Sequence, residues 1–349
     1  MIKLTTQRIE SLALPVTTVW LLGECMQARG KQELWTRQRP EVLQALLEQA
    51  VVQSVTSSNR IEGVSIATDR LRPLILGKAR PLDRSEEELA GYRKALDWIF
   101  SRKRPVPFSA ELVLKLHSLA QGGMSGDAGR WKRKNNEIIE IMPDHERRVR
   151  FVPTTAKDTP AAMEALGEAY RIGLENENLP VLLNISACVF DFLCIHPFRD
   201  GNGRVSRLIT TFLLNQEGFT VSRFISLERI VEQRKDEYYQ VLERCSKGWH
   251  AGKNDVIPWH NFFFSVLRSA YMAFARKVKE SSSAAPKSEL IRGAIDGQVG
   301  PFSLSELAAQ VPGVSLPLIK KVLSHMKQKG SIKAAGRGRN AVWEVVRKS

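Results

Sequence analysis

One short segment, HPFRDGNGRVSR at residues 196–207, concentrates the side chains that could do chemistry. Its Asp-Gly-Asn-Gly run, Asp200 to Gly203, predicts a tight turn before a helix, and the free N–H groups of such a turn favour a phosphate. The glycines let the backbone approach an anion without a Cβ in the way. Arg204 and Arg207 are three positions apart at the start of the helix, so both guanidiniums can face one polyphosphate.

Two further residues of the segment complete a reaction chemistry. Asp200 is a hard oxygen donor beside the turn, suited to a Mg²⁺ ion that itself binds phosphate oxygens. His196, just upstream, could accept a proton from an attacking hydroxyl near neutral pH. Singly, a lone histidine, a surface turn or an arginine pair is more often structural. Together, at this spacing, they indicate nucleotide phosphates held with Mg²⁺ while a hydroxyl attacks one phosphorus.

The elements that must position these residues are mostly helices. Residues 179–195 are apolar nearly all round, which predicts a central buried helix that ends before Pro197. Because a proline restricts the residue before it, we expect His196 to be extended. A second helix is predicted over 205–218, after the turn. Apolar periodicity predicts further helices at 42–55, 88–100, 108–120, with Ser109 in its cap region, 237–248 and 258–278. Residues 136–153 are the exception, since two β-like runs flank a polar turn and predict a hairpin.

A separate domain is predicted at the end of the chain. Residues 279–287 have the polar, small composition of a linker. Residues 288–349 show three helical patterns and then two strand-like runs around the basic turn GRGRN, an order that looks like a winged helix–turn–helix domain. Residues 285–349 hold eleven Lys or Arg against four acids. The cations are Lys320, Lys321, Lys327 and Lys329 on the third helix, Arg337 and Arg339 on the wing, and Lys287, Arg292, Lys333, Arg347 and Lys348. Contact with a DNA backbone and docking of a protein are equally favoured for this face.

Bulk composition excludes several classes of protein. The 349 residues carry a formal net charge of +15, which favours anionic partners. The cysteines are scattered and form no C-x-x-C pair, which argues against a disulfide framework and a zinc site and for a reducing compartment; they are Cys25, Cys188, Cys194 and Cys245. No apolar run reaches the length of a membrane span. We therefore expect a cytoplasmic protein with no membrane partner.

The segment at 196–207 resembles the H-P-F-x-[DE]-G-N-G-R-x-x-R signature of the Fic family throughout its length. Other segments are similar to the family core in the same order: AGRW at 128–131, the hairpin at 136–153, DEYYQVL at 236–242 and NDVIPWHNFF at 254–263. The resemblance implies a mainly α protein with a Fic-fold helical core and a β-hairpin flap. It divides the chain into an N-terminal helical region at 1–100, a catalytic core at 101–278, the linker, and the winged helix domain at 288–349.

The resemblance also implies a role for each residue of the motif. His196 would activate a Ser, Thr or Tyr hydroxyl of a target protein, and Phe198 would anchor the loop in the core. Asp200 would hold Mg²⁺ between the α- and β-phosphates of ATP. Gly201, Asn202 and Gly203 would form the anion hole, Arg204 would hold the β- and γ-phosphates, and Arg207 would bind the γ-phosphate. Tyr238 and Tyr239 are candidates to border the adenine, and the hairpin would align a target segment by strand addition.

A second motif, SSNRIEGV at 57–64, matches the family's inhibitory [ST]-x-x-x-E-[GN] pattern through Ser58, Glu62 and Gly63. Its position upstream of the core supports the match, although a serine and a glutamate four apart are common at helix ends. Glu62 would pair bidentately with Arg207 and remove the charge that should hold the γ-phosphate. ATP could then bind with its α-phosphate misaligned for attack.

Two functions follow from these predictions. The first is a protein adenylyltransferase that moves AMP from ATP to a hydroxyl of a target protein and of itself, and that Glu62 inhibits. The second is a DNA-binding transcriptional regulator whose Fic core senses a nucleotide or removes AMP. A homodimer is compatible with either function.

Overall fold

The structure, a computed structural model, describes residues 4–36, 40–64, 68–75, 77–102, 104–122, 126–141, 147–282, 287–296, 301–311, 313–335 and 341–346. The chain forms two compact units, residues 1–276 and 277–349. The first unit contains both the predicted N-terminal region and the predicted core. Arg337 and Arg339 of the predicted wing, together with Arg347 and Lys348, lie outside the described residues.

Helices dominate the first unit, as the sequence predicts. They are α1 (Val16–Thr36), α2 (Pro40–Ile61), α3 (Thr68–Ile75), α4 (Arg84–Phe100), α5 (Ala110–Gln121), α6 (Thr159–Glu175), α7 (Val181–Ile195), α8 (Asn202–Gln216), α9 (Leu227–Gln233), α10 (Lys235–Ser246) and α11 (Ile257–Ser282), whose last residues fall in the second unit. Each helix predicted from periodicity is present. Asp83 and Ser109 cap α4 and α5, where their side chains accept the N–H groups of Glu86 and Leu112.

Helix α7 lies at the centre of the unit, because every residue from Leu182 to Ile195 is buried. It packs against α6 on one flank and α8 on another. This burial explains its nearly continuous apolar sequence, and it confirms the predicted central helix. The segment at residues 196–207 therefore begins where a buried core helix ends.

The predicted hairpin is present as β1 (Ile138–Ile141) and β2 (Arg147–Phe151). The strands pair antiparallel, with Ile139 opposite Val149 and a register shift between Ile138 and Ile139. Both Ile139 and Val149 are exposed. The hairpin thus presents an apolar cross-strand pair outward.

The second unit contains α12 (Lys287–Asp296), α13 (Leu304–Gln310) and α14 (Leu316–Gln328), with β3 (Phe302–Ser303), β4 (Ile332–Ala335) and β5 (Val342–Val345). The strands form one antiparallel sheet in the order β3-β5-β4, so a strand that the sequence did not predict joins the predicted pair. Ile291, Leu307 and Leu323 lie in its core. The predicted linker is helical over Lys279–Ser282, because α11 continues through it, and residues 283–286 lie outside the described part.

Candidate active site

The turn at the end of α7 gives His196 its backbone conformation. His196 has φ 51° and ψ 60°, and its N–H donates to the Phe192 carbonyl at 2.9 Å, so it closes the helix in the left-handed region. The prediction of an extended His196 is therefore wrong. The restriction that Pro197 imposes is outweighed by the helix cap and by the contacts that hold the next residues. Among the described residues, His196 is the one non-glycine residue with a positive φ, a geometry that costs free energy and concentrates at functional sites.

The His196 ring is oriented as a proton acceptor. Its Nδ1 lies 3.2 Å from the Leu193 carbonyl oxygen, and since that oxygen can only accept, Nδ1 carries the hydrogen. Nε2 is then left with its lone pair. Burial lowers the pKa of His196 to about 4, while the hydrogen bond to Leu193 acts in the other direction. The ring is neutral at neutral pH.

Phe198 anchors the turn in the core, as the sequence predicts. It is fully buried and stacks on His117 with 3.7 Å between ring centroids, and Trp131 lies at 5.2 Å. His117 accepts the Gly129 N–H at Nδ1 (3.0 Å), so its Nε2 donates to the Asp200 carbonyl at 3.2 Å. Burial lowers the pKa of His117 to about 4. A neutral histidine therefore fixes the backbone at Asp200.

A buried lysine braces the other half of the turn. The Lys132 Nζ donates to the Ile195 carbonyl at 3.3 Å and to Asn136 Oδ1 at 2.8 Å, and the Lys132 N–H donates to the Pro197 carbonyl at 2.9 Å. Asn136 in turn donates to the Phe198 carbonyl at 3.1 Å. The carbonyls on both sides of His196 are thus held by one loop.

Helix α8 begins just after Gly201, which has φ 83° and approaches Gln121 so closely that a Cβ would lie 3.3 Å from the Gln121 side chain. The Asn202 side chain accepts the Phe198 N–H at 2.9 Å and donates to the Phe198 carbonyl at 2.8 Å. The side-chain amide of Asn202, which was predicted to form part of the anion hole, is therefore occupied by hydrogen bonds to Phe198 within the turn. The contribution of Asn202 to an anion site is limited to its backbone N–H at the start of the helix.

Arg204 differs from its predicted orientation. Its guanidinium is 2% exposed, with Nη1 2.7 Å from Glu88 of α4 and Nη2 3.7 Å from Asp200. Glu88 also pairs with Arg84 at 2.9 Å, and Arg84 pairs with Asp200. Partial burial opposes ionisation of Asp200, but Arg204, the Gly201 N–H and Arg84 together hold its pKa below the usual value. The two motif arginines do not face one open cavity, because Glu88 draws Arg204 towards α4.

Arg207 is held by the upstream motif. Its Nη2 donates to Glu62 Oε1 at 2.8 Å and to the Ser58 carbonyl at 2.8 Å, and its Nε donates to Ser58 Oγ at 2.9 Å. The pair is monodentate rather than bidentate, since Ser58 takes the second position. Glu62 also lies directly over Gly203, where a Cβ would come within 2.1 Å of Glu62 Oε1.

The end of α2 explains the position of Glu62. Gly63 has φ 81° and donates to the Arg60 carbonyl at 3.0 Å, and the Val64 N–H donates to the Asn59 carbonyl at 2.9 Å. The helix therefore stops in a left-handed turn that glycine adopts without strain, just after Glu62. Ser58 is fully buried one turn earlier.

A cavity of about 250 Å³ opens beside His196, Gly203 and Glu62. Both tyrosines line it, but they differ in role. Tyr238 is buried, with Phe262 at 5.7 Å and Trp259 at 6.2 Å between ring centroids, so it belongs largely to the aromatic core. Tyr239 is half-buried and donates to the Ile61 carbonyl at 3.3 Å.

The hairpin forms another wall of this cavity and is fixed to α10. Arg150 and Arg148 of β2 both pair with Glu243, at 2.8 Å and 3.0 Å. His250 lies 2.8 Å from the Val152 carbonyl and stacks on Phe151. The predicted hairpin therefore lines the cavity that His196 also lines.

The site fits a phosphate and a phosphate-bound cation. Among the buried donors of the described residues that have no hydrogen-bond acceptor, Arg204 Nε and Arg207 Nη1 belong to the first two turns of α8, and Gln121 Nε2 lies beside Gly201. No group of three or more His, Cys, Asp or Glu suited to a metal occurs among those residues. Asp200 alone, about half-exposed beside the turn, matches Mg²⁺ bound through one carboxylate and the substrate phosphates.

Sequence reasoning missed several residues that shape the site, namely Arg84, Glu88, His117, Gln121, Lys132 and Asn136. They come from α4, α5 and the loop before the hairpin. What distinguishes the charged residues among them is that a lysine and a glutamate are buried. Burial can be seen only once the fold is known, so the sequence offers no signal for these residues.

Part of the chain is similar to known proteins. Residues 107–214 match the Fic/DOC family. A protein adenylyltransferase Fic from Nematostella vectensis is 24% identical over 224 residues, which cover 62% of this chain and 47% of that protein. Its counterpart from Drosophila erecta is also 24% identical over 62% of this chain and 40% of its own length. The chain thus matches less than half of each of these relatives.

Two solved structures share the fold. A Fic family protein from Desulfovibrio desulfuricans G20 has a TM-score of 0.63 at 20% identity, with 97% of this chain and 98% of that chain covered. A Fic domain containing signaling protein from Bacteroides thetaiotaomicron has a TM-score of 0.61 at 20% identity, with 73% and 97% covered. Along the described ranges, no helix is both long and apolar enough to cross a membrane.

Proposed function

Because the chain carries a Fic/DOC-family domain at residues 107–214, we propose that it transfers AMP from ATP to a Ser, Thr or Tyr hydroxyl of a protein, and that Glu62 restrains this activity. The relatives named protein adenylyltransferase support the reaction class. Self-labelling is part of the proposal, since the chain's own hydroxyls are present at high local concentration.

One observation carries the proposal: His196 and the start of α8 border the same cavity, and Glu62 lies over Gly203 at that helix start. His196, Gly203 and Glu62 all line that cavity. A proton acceptor and an anion-binding helix terminus are what attack on a phosphorus requires, and Glu62 already pairs with Arg207 of that helix.

The proposed step balances as a nucleotidyl transfer. The acceptor oxygen forms a bond to the α-phosphorus, its proton moves to His196 Nε2, and the bond from the α-phosphorus to the bridging oxygen of pyrophosphate breaks. Leu193 keeps the other ring nitrogen protonated, so Nε2 alone receives the proton. Catalysis of this kind rests on positioning and electrostatics more than on covalent chemistry.

The nucleotide would occupy the start of α8. The N–H groups of Asn202 and Gly203 and the freed guanidinium of Arg207 would bind its phosphates. Asp200 would hold Mg²⁺, which supplies positive charge to the phosphate oxygens. Arg84 competes with the cation for Asp200 in this structure, so that ion pair would have to open.

Labelled ATP tests the reaction class. With the label on the α-phosphate, the Glu62→Gly protein should incorporate label in the presence of Mg²⁺, and with the label on the γ-phosphate it should not. Incorporation from the γ-position alone would mean phosphoryl transfer and would overturn the proposal. Nucleotide bound without any incorporation would favour a sensor.

The second candidate is a DNA-binding regulator whose Fic core senses a nucleotide or removes AMP. The observation in its favour is the α14 surface of the second unit, where Lys320, Lys321, Lys327 and Lys329 are all exposed. Such a face suits contact with a phosphate backbone.

A truncation separates the two candidates. The chain should be cut after Ser282, where α11 ends, rather than inside that helix. We expect the shortened protein to keep self-labelling and to lose DNA affinity, and the DNA affinity of the full chain should fall steeply with salt. Affinity for DNA that is absent, or that does not depend on salt, would favour a protein partner for this unit.

A further inference from the structure

A second cavity, of about 510 Å³, opens beside the turn at residues 196–201, which we call the catalytic turn because the proposed transfer would take place there. We call it the basic groove, and the charged residues that line it are Asp127, Arg130, Lys132, Arg133, Lys134 and Arg199. Its cations outnumber its acids by five to one. None of the assignments made above to the transfer chemistry uses the exposed residues of this groove.

Lys132 is a buried cation at this groove without a counter-charge. Its side chain is 5% exposed, and its Nζ contacts two neutral oxygens, Asn136 Oδ1 and the Ile195 carbonyl. Across the described ranges no carboxylate lies within ion-pair distance of it. A buried charge is strongly unfavourable unless an opposite charge compensates it, so this position favours an incoming anion. Burial also lowers the pKa of Lys132 to about 8, which an anion would reverse.

The exposed residues of the groove also favour the binding of an anion. Arg130, Arg133 and Lys134 are exposed, and within the part of the chain that the structure describes none of them has an ion-pair partner. Asp127, the acid of the groove, pairs with Arg199 at 2.8 Å. The field at the groove is therefore strongly positive.

The groove is continuous with the elements that would receive a protein acceptor. Trp131 stacks on Phe198, and Lys132 donates to the Pro197 carbonyl, so its wall and the catalytic turn are packed together. Asn136 lines the groove, and the next two residues, Glu137 and Ile138, line the cavity that contains His196.

We propose that the basic groove docks an acidic segment of the protein acceptor, with one carboxylate beside Lys132 and the reacting hydroxyl a few residues further along, at His196. The inference rests on the proposed function. A peptide is favoured over a nucleic acid for two reasons. The groove is short, since it is lined by few side chains and ends at the hairpin. The charged residue that follows it there is the acid Glu137 and not a further cation.

Peptide binding tests the groove independently of any transfer. The probe is a fluorescent synthetic peptide of Glu and Gly with one central Thr, and the comparison peptide has Gln in place of Glu. Binding is followed by anisotropy with the full chain, with the triple variant R130E/R133E/K134E, and with K78E/K94E/K253E. The last variant carries the same change in charge at exposed lysines outside the groove.

We expect the acidic peptide to bind the parent protein and the control variant with equal affinity. It should bind the groove variant at least about tenfold more weakly, and this difference in affinity should shrink at high salt. Equal binding by all three proteins, or a groove variant that loses affinity for duplex DNA but not for the peptide, would overturn the proposal. In the Glu62→Gly background, label from ATP should appear on the acidic peptide in preference to the Gln peptide. Peptide binding without any label would refute the transfer and the acceptor role while leaving the docking intact.

Discussion

At the scale of single residues, His196 combines a strained backbone with a defined proton acceptor. The helix cap at Phe192 and the Leu193 carbonyl leave Nε2 open towards the cavity. Such strain persists only where the surrounding structure over-determines it, and here His117 and Lys132 supply that restraint. The backbone strain and the free lone pair are what the proposed role of His196 as proton acceptor requires.

Replacement of His196 by Ala should abolish transfer and leave ATP binding nearly unchanged, because the substitution removes the proton acceptor and not the phosphate site. Loss of such a group commonly costs a factor of about 10²–10⁴ in rate. The matched control is His325→Ala, at an exposed histidine of α14. Label incorporation and nucleotide affinity should be measured side by side. Labelling by the His196 variant at the parent rate would show that another group takes the proton.

The sequence could predict the motif residues because they are contiguous, and it could predict Ser58 and Glu62 because their segment resembles the family's inhibitory pattern. It could not predict Glu88, His117 or Lys132, which lie about 60 to 120 positions before Arg204 or His196 in the chain. Their roles exist only once α4, α5 and the loop pack against the turn. The left-handed His196 was missed for the same reason, since the rule for residues before proline is local and the restraint is tertiary.

At the scale of elements, the loop at residues 126–136 acts as a brace for the catalytic turn. It contributes Lys132 and Asn136 to three carbonyls around His196, and Gly129 orients His117. Sequence periodicity cannot reveal such a brace, because the loop has no regular structure. The loop acts through the positions of its polar groups, which donate hydrogen bonds to the backbone around His196.

Lys132→Met should lower transfer roughly five- to thirtyfold, because it removes two side-chain hydrogen bonds worth about 1 kcal/mol each and the turn can then relax. Lys132→Arg, which keeps the charge and the donors, should recover part of the rate. Nucleotide affinity should stay near the parent value in both variants, so the loss should appear in kcat. A loss confined to the KM for ATP would instead place Lys132 at the nucleotide.

Helix prediction succeeded where apolar spacing was regular and failed where it was not. Helix α1 carries three threonines and two glycines, residues that disfavour helices, and its stability comes from burying Leu21, Leu22 and Cys25. The sequence offered no such information about packing. The strand β3, with only two residues, has too little pattern to be found without β5.

At the scale of the whole molecule, buried neutral histidines make stability depend on pH. Burial lowers the pKa of His117 and His196 to about 4 and that of His260 to about 3, from an ordinary value of 6.5. Because the folded pKa values lie below the unfolded one, the unfolded chain binds more protons in the window between them. Stability is therefore complete above the unfolded pKa and is lost as the pH falls towards about 4.

The unfolding temperature should fall when the pH is lowered from about 7 to about 5, with each histidine contributing up to about 1.4 kcal/mol per pH unit below its unfolded pKa. His260→Gln should reduce this dependence, since it removes one titrating group from the core. His325→Gln, at an exposed position, should not. The comparison uses slopes, so a lower absolute stability of the His260 variant does not affect it. If the unfolding temperature of all three proteins depended on pH with the same slope, His260 would not be one of the groups that make stability depend on pH.

The central claim is that Glu62 restrains the site through Arg207, and self-labelling of Glu62→Gly tests it most directly. A partly buried Arg–carboxylate contact is worth about 1.5–3 kcal/mol, so labelling should rise about ten- to a hundredfold over the parent protein. The matched control is Glu175→Gly, which removes a glutamate paired with Arg171 at the end of α6. The gain should disappear when Arg207→Ala is added to Glu62→Gly. Equal labelling by the parent and the folded Glu62→Gly protein, with ATP and Mg²⁺ saturating, would contradict the account.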